Sequence, residues 1–293
     1  MIRFSRISDL VRLADEHELS LAEVVWRHET ERSQRTPEEV WATMAESLKV
    51  MRGAAVLGLS SRDKSFSGLV GGDANRLAAR LDDGKCLTGP VAAKAAAYAL
   101  AVSEVNAGMG KIVACPTAGS CGIVPGAMLA AADACGFSDE ALIRGLFTAA
   151  GIGLVIAENA SISGAFGGCQ AECGSAAAMA AAAVVEMAGG TPAQSAEALA
   201  LAMKNLLGLA CDPVAGLVEV PCVKRNAFGA VHALLAAEMA LAGITSVIPA
   251  DEVIDAMHQI GLSMPRALKE TSEGGLAKTP TAIKLTEKIL GGK

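Results

Sequence analysis

An all-α protein with a single multi-helix domain is what the sequence predicts. Apolar residues recur at helical spacing along most of the chain, and no stretch alternates with the two-residue period of a strand. Hydrophobic residues make up 52% of the 293 residues, yet aromatics only 3%. Alanine, glycine, leucine and valine therefore supply the apolar volume, and small side chains let helix backbones approach closely. No repeat of 20–50 residues and no low-complexity linker divides the chain.

Taken in order, residues 1–58 read as an N-terminal helical layer on a catalytic core spanning 59–293. Ile7, Leu10, Val11 and Leu13 form one apolar stripe, and Leu21, Val24 and Val25 a second. Thr36-Pro37-Glu38-Glu39 is a helix start, with threonine at the cap and proline in the first turn. Val40, Met44, Leu48 and Met51 would share one face of that helix. Residues 60–73 read as a loop rich in hydroxyls and glycine. Helices are expected over Pro90–Ala107, with Lys94 and Glu104 toward solvent, and over Ile123–Cys135. Another starts at Ser138-Asp139-Glu140 and reaches Glu158. Further helices are expected over Ser175–Ala188, Thr191–Leu207 and Ala227–Leu241, and a last long one begins at Pro249-Ala250-Asp251-Glu252. The tail around Ser272–Thr281 reads as irregular.

A net charge of -6 and a pI near 5.3, with no basic tract, argue against a nucleic-acid binder. Mean hydropathy is +0.40, which raises the membrane question. A spanning helix needs about 18 to 20 uninterrupted apolar residues. Ala176–Val185 stops at Glu186, Ala227–Ala250 contains His232 and Glu238, and Leu142–Ala157 is interrupted by Arg144. The first residues lack an apolar signal core. The expectation is a cytoplasmic protein with no membrane span, whose eight cysteines are not a disulfide framework.

Cys169, Cys211 and Cys222 stand out because each lies among residues that break regular structure. Cys169 follows Gly167-Gly168, Cys211 precedes Asp212-Pro213, and Cys222 follows Pro221. Ten residues separate Cys211 from Cys222, with Pro213, Gly216 and Pro221 between them. That composition suits a loop folded back so that two thiolates converge. Three protein thiolates would hold a metal cluster with one position open for chemistry. The spacing matches neither a ferredoxin run nor a zinc ribbon, and the bland alternative is inert cysteine in a small-residue core. Cys173, Cys115 and Cys121 are competing ligands, and Cys86 and Cys135 look like packing residues.

Four stretches, in this order, resemble the iron–sulfur-dependent L-serine dehydratases of bacteria, and in particular the α subunit of the two-chain type. They are Lys64-Ser65-Phe66-Ser67-Gly68-Leu69 with Gly71-Gly72-Asp73, and Pro116-Thr117-Ala118-Gly119-Ser120-Cys121-Gly122-Ile123. The third is Gly168-Cys169-Gln170-Ala171-Glu172, and the fourth runs from Gly208 through Cys211-Asp212-Pro213 to Pro221-Cys222-Val223-Lys224-Arg225-Asn226. Gly274-Gly275-Leu276-Ala277-Lys278-Thr279-Pro280 fits as well. The resemblance implies a lyase that removes water from L-serine to give pyruvate and ammonia. It implies a [4Fe–4S] cluster on Cys169, Cys211 and Cys222, with the open iron acting as Lewis acid on the serine hydroxyl. It further implies catalytic roles in the Lys64, Ser65, Ser67 and Asp73 loop, with Asp73 meeting the substrate ammonium. Thr117, Ala118, Gly119 and Ser120 would bind the substrate carboxylate at a helix start.

Other readings stay open beside these. Thr117 and Ser120 serve equally as helix caps, Lys64 as a solvated charge, and Asp212, Glu172 and Asn226 as turn or supporting residues. Single-chain members carry an additional domain with a Ser-His-Thr motif and a C-terminal cysteine. Here no Ser-His-Thr occurs and the last cysteine is Cys222, so a separate β subunit is expected in a hetero-oligomer. Activity on another β-substituted amino acid, a pyridoxal-phosphate enzyme and an electron carrier are the competing functions.

Overall fold

The computed structural model describes residues 2–84 and 86–291. Among these the chain forms thirteen α-helices and no strand, so the all-α expectation holds. The centre is α9 (Ser175–Met187), in which Ala176, Ala177, Ala178, Ala180, Ala181, Ala182 and Ala183 are all buried. A helix apolar on every side belongs inside a core rather than on its surface. Around it pack α6 (Ile123–Cys135), α7 (Asp139–Asn159), α10 (Pro192–Lys204) and α11 (Cys222–Leu241). A second hub is α5 (Pro90–Ala107), which meets α3 (Pro37–Ser60), α4 (Asp73–Asp82), α6 and α11.

Small residues make these contacts close. A Cβ on Gly58 of α3 would lie 2.2 Å from the Ala101 carbonyl oxygen of α5. One on Gly122, just before α6, would lie 2.3 Å from the Ala99 carbonyl oxygen. In α7, a Cβ on Gly151 would lie 2.3 Å from Val25 Cγ2 of α2 (Leu21–Ser33). Gly58→Ala is therefore expected to lower unfolding stability by about 1–3 kcal/mol, because backbone rather than a flexible side chain must yield. Urea denaturation reads this directly, and an unchanged midpoint would contradict it.

The N-terminal helices α1 (Ile7–His17), α2 and α3 bury the stripes read from the sequence: Ile7, Leu10, Leu13, Leu21, Val24, Val25, Val40, Leu48 and Met51. Val11 and Met44 are half-buried. Both tryptophans lie here. Trp26 and Trp41 meet edge to face at 5.3 Å, and Trp41 lies 5.8 Å from Phe147, joining α2, α3 and α7. Thr36 caps α3 as expected, accepting from the Glu39 N–H while the Glu39 carboxylate accepts from the Thr36 N–H.

Several boundaries differ from the sequence reading. Two helices, α4 and α13 (Pro280–Leu290), have no counterpart in the sequence reading: each starts at the end of a stretch read as irregular and runs on through residues given no element. The first is capped from afar: the Glu104 carboxylate accepts from the N–H groups of Gly72, Asp73 and Ala74. Glu104 is thus a helix cap rather than a solvated residue. Helix α10 ends at Lys204, and α11 begins at Cys222, five residues before the expected start. Cys135 is exposed and Cys86 half-buried, so neither fills the core.

Two segments, Ala118–Cys135 and Asp139–Asn159, are long and apolar enough to cross a membrane, Arg144 notwithstanding. Their apolar windows are 72% and 61% buried within the fold, where they supply core packing.

Candidate active site

Three chain segments bring Cys169, Cys211 and Cys222 together. Cys169 sits between the single turn α8 (Gly164–Gly167) and a π-helical turn over Gln170–Gly174 that leads into α9. Gln170 anchors that turn: its side chain donates to the Met257 carbonyl at 2.9 Å and accepts from the Gly208 N–H at 2.9 Å. Cys211 is held by its backbone, donating to the Leu268 carbonyl at 2.9 Å and accepting from the Glu270 N–H at 2.7 Å. Cys222 is the first residue of α11. All three are buried, at 2%, 3% and 9% exposure.

The thiols lie near enough for charge on one to bear on another. Burial pushes the Cys211 thiol far up, with the Glu172 carboxylate and then charge on Cys169 and Cys222 adding to it. Burial likewise pushes Cys222 up to about 12, with charge on Cys169 as the next cause. Cys169 is the exception and lies below the usual thiol range. A hydrogen bond shared with Cys173, the sulfurs 3.3 Å apart, favours its thiolate, and against the cost of burial the Arg225 guanidinium does so as well. Arg225 itself donates to the Ala210 carbonyl at 2.7 Å and to Asp212 Oδ1 at 3.0 Å. Cys115 and Cys121 form a separate buried pair, the Cys115 thiol donating to the Cys121 carbonyl at 3.5 Å.

This donor set fits a metal–sulfur cluster with three protein ligands. Three thiols buried together make poor anions unless a strong positive centre joins them, and a coordinated metal deprotonates a thiol outright. Gly164 packs tightly against this site. A Cβ on Gly164 would lie 2.6 Å from Glu172 Oε2 and 3.0 Å from Cys211 Sγ. Oxygen donors are near too: ligand atoms of Glu172, Cys211 and Glu270 all lie within 4.8 Å of one another.

Glu172, left undecided by the sequence, is central. Burial raises its pKa, against the hydrogen bond from Thr117. Its Oε1 accepts from Thr117 Oγ1 at 2.8 Å, and its Oε2 lies 3.6 Å from Cys211 Sγ. Thr117, Ala118, Gly119 and Ser120 form one tight turn ahead of α6, with the Thr117 and Ser120 hydroxyls 3.1 Å apart. Asn226 of α11 pins this turn, accepting from the Gly122 N–H at 2.8 Å and donating to the Gly119 carbonyl at 2.7 Å. The four residues named from the sequence thus adjoin the thiol cluster through Glu172.

The Lys64–Asp73 loop is placed differently. Ser65 and Ser67 both donate to Glu219 Oε2, at 2.6 and 2.5 Å, which ties this loop to the Cys211–Cys222 segment. Lys64 donates to the Gly71 carbonyl at 3.0 Å within its own loop. Asp73 pairs with Lys224 at 2.5 Å and with Arg76, so a carboxylate expected to meet a substrate ammonium already has two cations. Burial opposes ionisation of Asp73, but those two cations win and hold its pKa below the usual value. Its stabilising contribution is then fully present above about pH 4 and lost as pH falls through the depressed value. Being partly solvated, the pairs are worth under about 1 kcal/mol. Lys224→Met should cost that amount at neutral pH, and the difference should close under acid. Urea unfolding of both chains across that range checks it.

Sequence reasoning missed Glu219 and gave Arg225 no role. The only signal for Glu219 was that it is, with Asp212, one of two acidic residues between Cys211 and Cys222.

A helical chain that gathers three buried thiols beside a threonine–serine turn defines a candidate metal-dependent enzyme, and comparison with known proteins specifies the family. The family model for the serine dehydratase alpha chain matches residues 16–277, and the chain belongs to that family. It is 55% identical to the probable L-serine dehydratase alpha chain of Bacillus subtilis over 289 residues, 99% of this chain and 96% of that one. It is 44% identical to the L-serine dehydratase alpha chain of Peptoniphilus asaccharolyticus over 282 residues, 96% of this chain and 97% of the other. Against L-serine dehydratase 2 of Escherichia coli it is 41% identical over 288 residues, which span 94% of this chain and 61% of that longer one.

Proposed function

We propose that this chain is the catalytic α subunit of an L-serine dehydratase, a lyase that converts L-serine to pyruvate and ammonia. The observation that carries the reading is that Cys169, Cys211 and Cys222 are buried near one carboxylate, Glu172, whose Oε2 lies against Cys211 and whose Oε1 accepts from Thr117. Names of relatives along nearly the whole chain support the substrate.

In this reading Cys169, Cys211 and Cys222 hold a [4Fe–4S] cluster. When bound, it supplies a Lewis acid for the departing hydroxyl oxygen. The protein residues orient and enclose the substrate. The Ala118 and Gly119 N–H groups head the turn before α6, where a carboxylate is favoured by free donors and by the helix dipole. Thr117 and Ser120 add hydroxyls, and Glu172 fixes the Thr117 rotamer. Asn226 keeps the turn rigid from α11. Burial of the thiols and of Glu172 keeps water away from the carbon that loses its proton. Loss of water leaves an enamine, which tautomerises and hydrolyses.

Residues 1–58 act as a layer supporting the core of 59–293, and the working enzyme is a cytoplasmic hetero-oligomer with a separate β subunit. The longer Escherichia coli relative, of which this chain matches 61%, has room for such a part within one chain. The test is turnover of L-serine, L-threonine and L-cysteine by the chain with and without its β partner, under anaerobic conditions. Preferred turnover of L-serine by the pair alone is expected. A strong preference for L-cysteine would overturn the substrate assignment, and full activity of the isolated chain would overturn the need for a partner.

A further inference from the structure

Glu219 is a buried carboxylate, 5% exposed, in the short loop that ends at Cys222. Its Oε2 accepts from the hydroxyls of both Ser65 and Ser67 at 2.6 and 2.5 Å, the short contacts of an O–H donor on an anionic oxygen. Its Oε1 accepts no hydrogen bond among the described residues and keeps accessible surface, so it is open to a ligand. A buried carboxylate is normally paired with a cation, and here none of the neighbouring cations serves. Lys64 donates to the Gly71 carbonyl, Lys224 pairs with Asp73, and Arg225 pairs with Asp212. Two serine hydroxyls orient the charge without neutralising it.

The position of this charge matters. Val218, the preceding residue, lies beside Gly119: a Cβ there would be 3.5 Å from Val218 Cγ1 and 3.2 Å from Glu172 Oε1. The Glu219 carbonyl accepts from the Val223 N–H at 3.0 Å, so the same loop runs straight into the first turn of α11 at Cys222. The uncompensated carboxylate therefore belongs to the segment that joins the Thr117–Ser120 turn to a cluster thiol.

We propose that Glu219, aimed by Ser65 and Ser67, binds the α-ammonium of the amino-acid substrate and makes the site selective for amino acids over hydroxy acids. This rests on the reading above that the substrate is an amino acid whose carboxylate meets the Thr117–Ser120 turn. It replaces Asp73, whose charge is already paired, in that role. Ser65 and Ser67 then act by holding the carboxylate rather than by touching the substrate.

The experiment measures equilibrium binding of L-alanine and of L-lactate, which differ only in carrying an ammonium or a hydroxyl at Cα, to the anaerobic two-chain enzyme. The wild type should favour L-alanine. Glu219→Gln should weaken L-alanine about tenfold or more, the loss of a charge-assisted bond, and leave L-lactate within about twofold, so that the preference disappears. Should that variant not accumulate, Glu219→Asp retains the charge one methylene further back and should show the same split to a smaller degree. Equal weakening of both ligands would mean a purely structural role and overturn the assignment, as would unchanged L-alanine binding. Because neither ligand is turned over, this outcome is independent of whether L-serine is the true substrate.

Discussion

Cys169→Ser, Cys211→Ser and Cys222→Ser should each reduce L-serine turnover by more than about 100-fold, the upper range for loss of an outer-sphere partner of a metal site. Each removes one of three anchors, and a serine hydroxyl is a poor substitute for a thiolate on iron. Iron content should fall in parallel. Cys135→Ser and Cys86→Ser are the controls, because Cys135 is exposed and Cys86 only half-buried, and both should retain activity within about twofold. Cys173 lies against one of the three. Its sulfur shares a hydrogen bond with Cys169 at 3.3 Å, and its pKa is pushed well above the usual thiol range, first by that bond and then by burial. Retained wild-type rates in any of the first three variants would remove the three-thiol assignment.

Arg225→Leu carries the second large effect. This guanidinium is the cation that favours the Cys169 thiolate, and it also bonds the Ala210 carbonyl and Asp212. Asp212 meanwhile accepts from the Leu276 N–H at 2.7 Å, and Gly275 packs so tightly that a Cβ there would lie 2.4 Å from Asp212 Oδ2. Removing the arginine leaves a carboxylate of 6% side-chain exposure without its counter-charge. Breaking a buried pair in this way costs about 3 kcal/mol. Chemical denaturation should show that loss, and the variant should also retain less iron. Arg225→Lys keeps the charge but not the forked geometry, so it should recover stability only in part. A variant with unchanged stability and iron content would show that the arginine is incidental.

How much of this was legible in the chain depends on the range of the interaction concerned. Thr36-Pro37 and the alanine run of α9 announce themselves locally, through a cap and through unbroken small apolar residues. Helix α4 does not, because the acid that satisfies its first N–H groups is Glu104, about thirty residues further on. Helix α13 had the same Thr-Pro start as α3, and Thr279 does cap it, but the glycines of Gly274-Gly275 obscured it. Cys222 read as a loop residue because Pro221 precedes it, whereas proline there occupies the position just before the first turn of α11. In the site, the three thiols and the Thr117–Ser120 turn stood out by residue type. The hydrogen bond from Ser65 to Glu219 spans 154 residues, and the one from Thr117 to Glu172 spans 55. No local pattern could pair them, so Ser65 and Ser67 read as substrate ligands although their hydroxyls are committed to Glu219.

The most direct test of the three-thiol centre is iron and acid-labile sulfide analysis of the anaerobically purified, active two-chain enzyme. About four irons and four sulfides per α chain are expected, falling together with activity in Cys169→Ser, Cys211→Ser and Cys222→Ser. Full L-serine turnover by material that contains neither iron nor sulfide would contradict it.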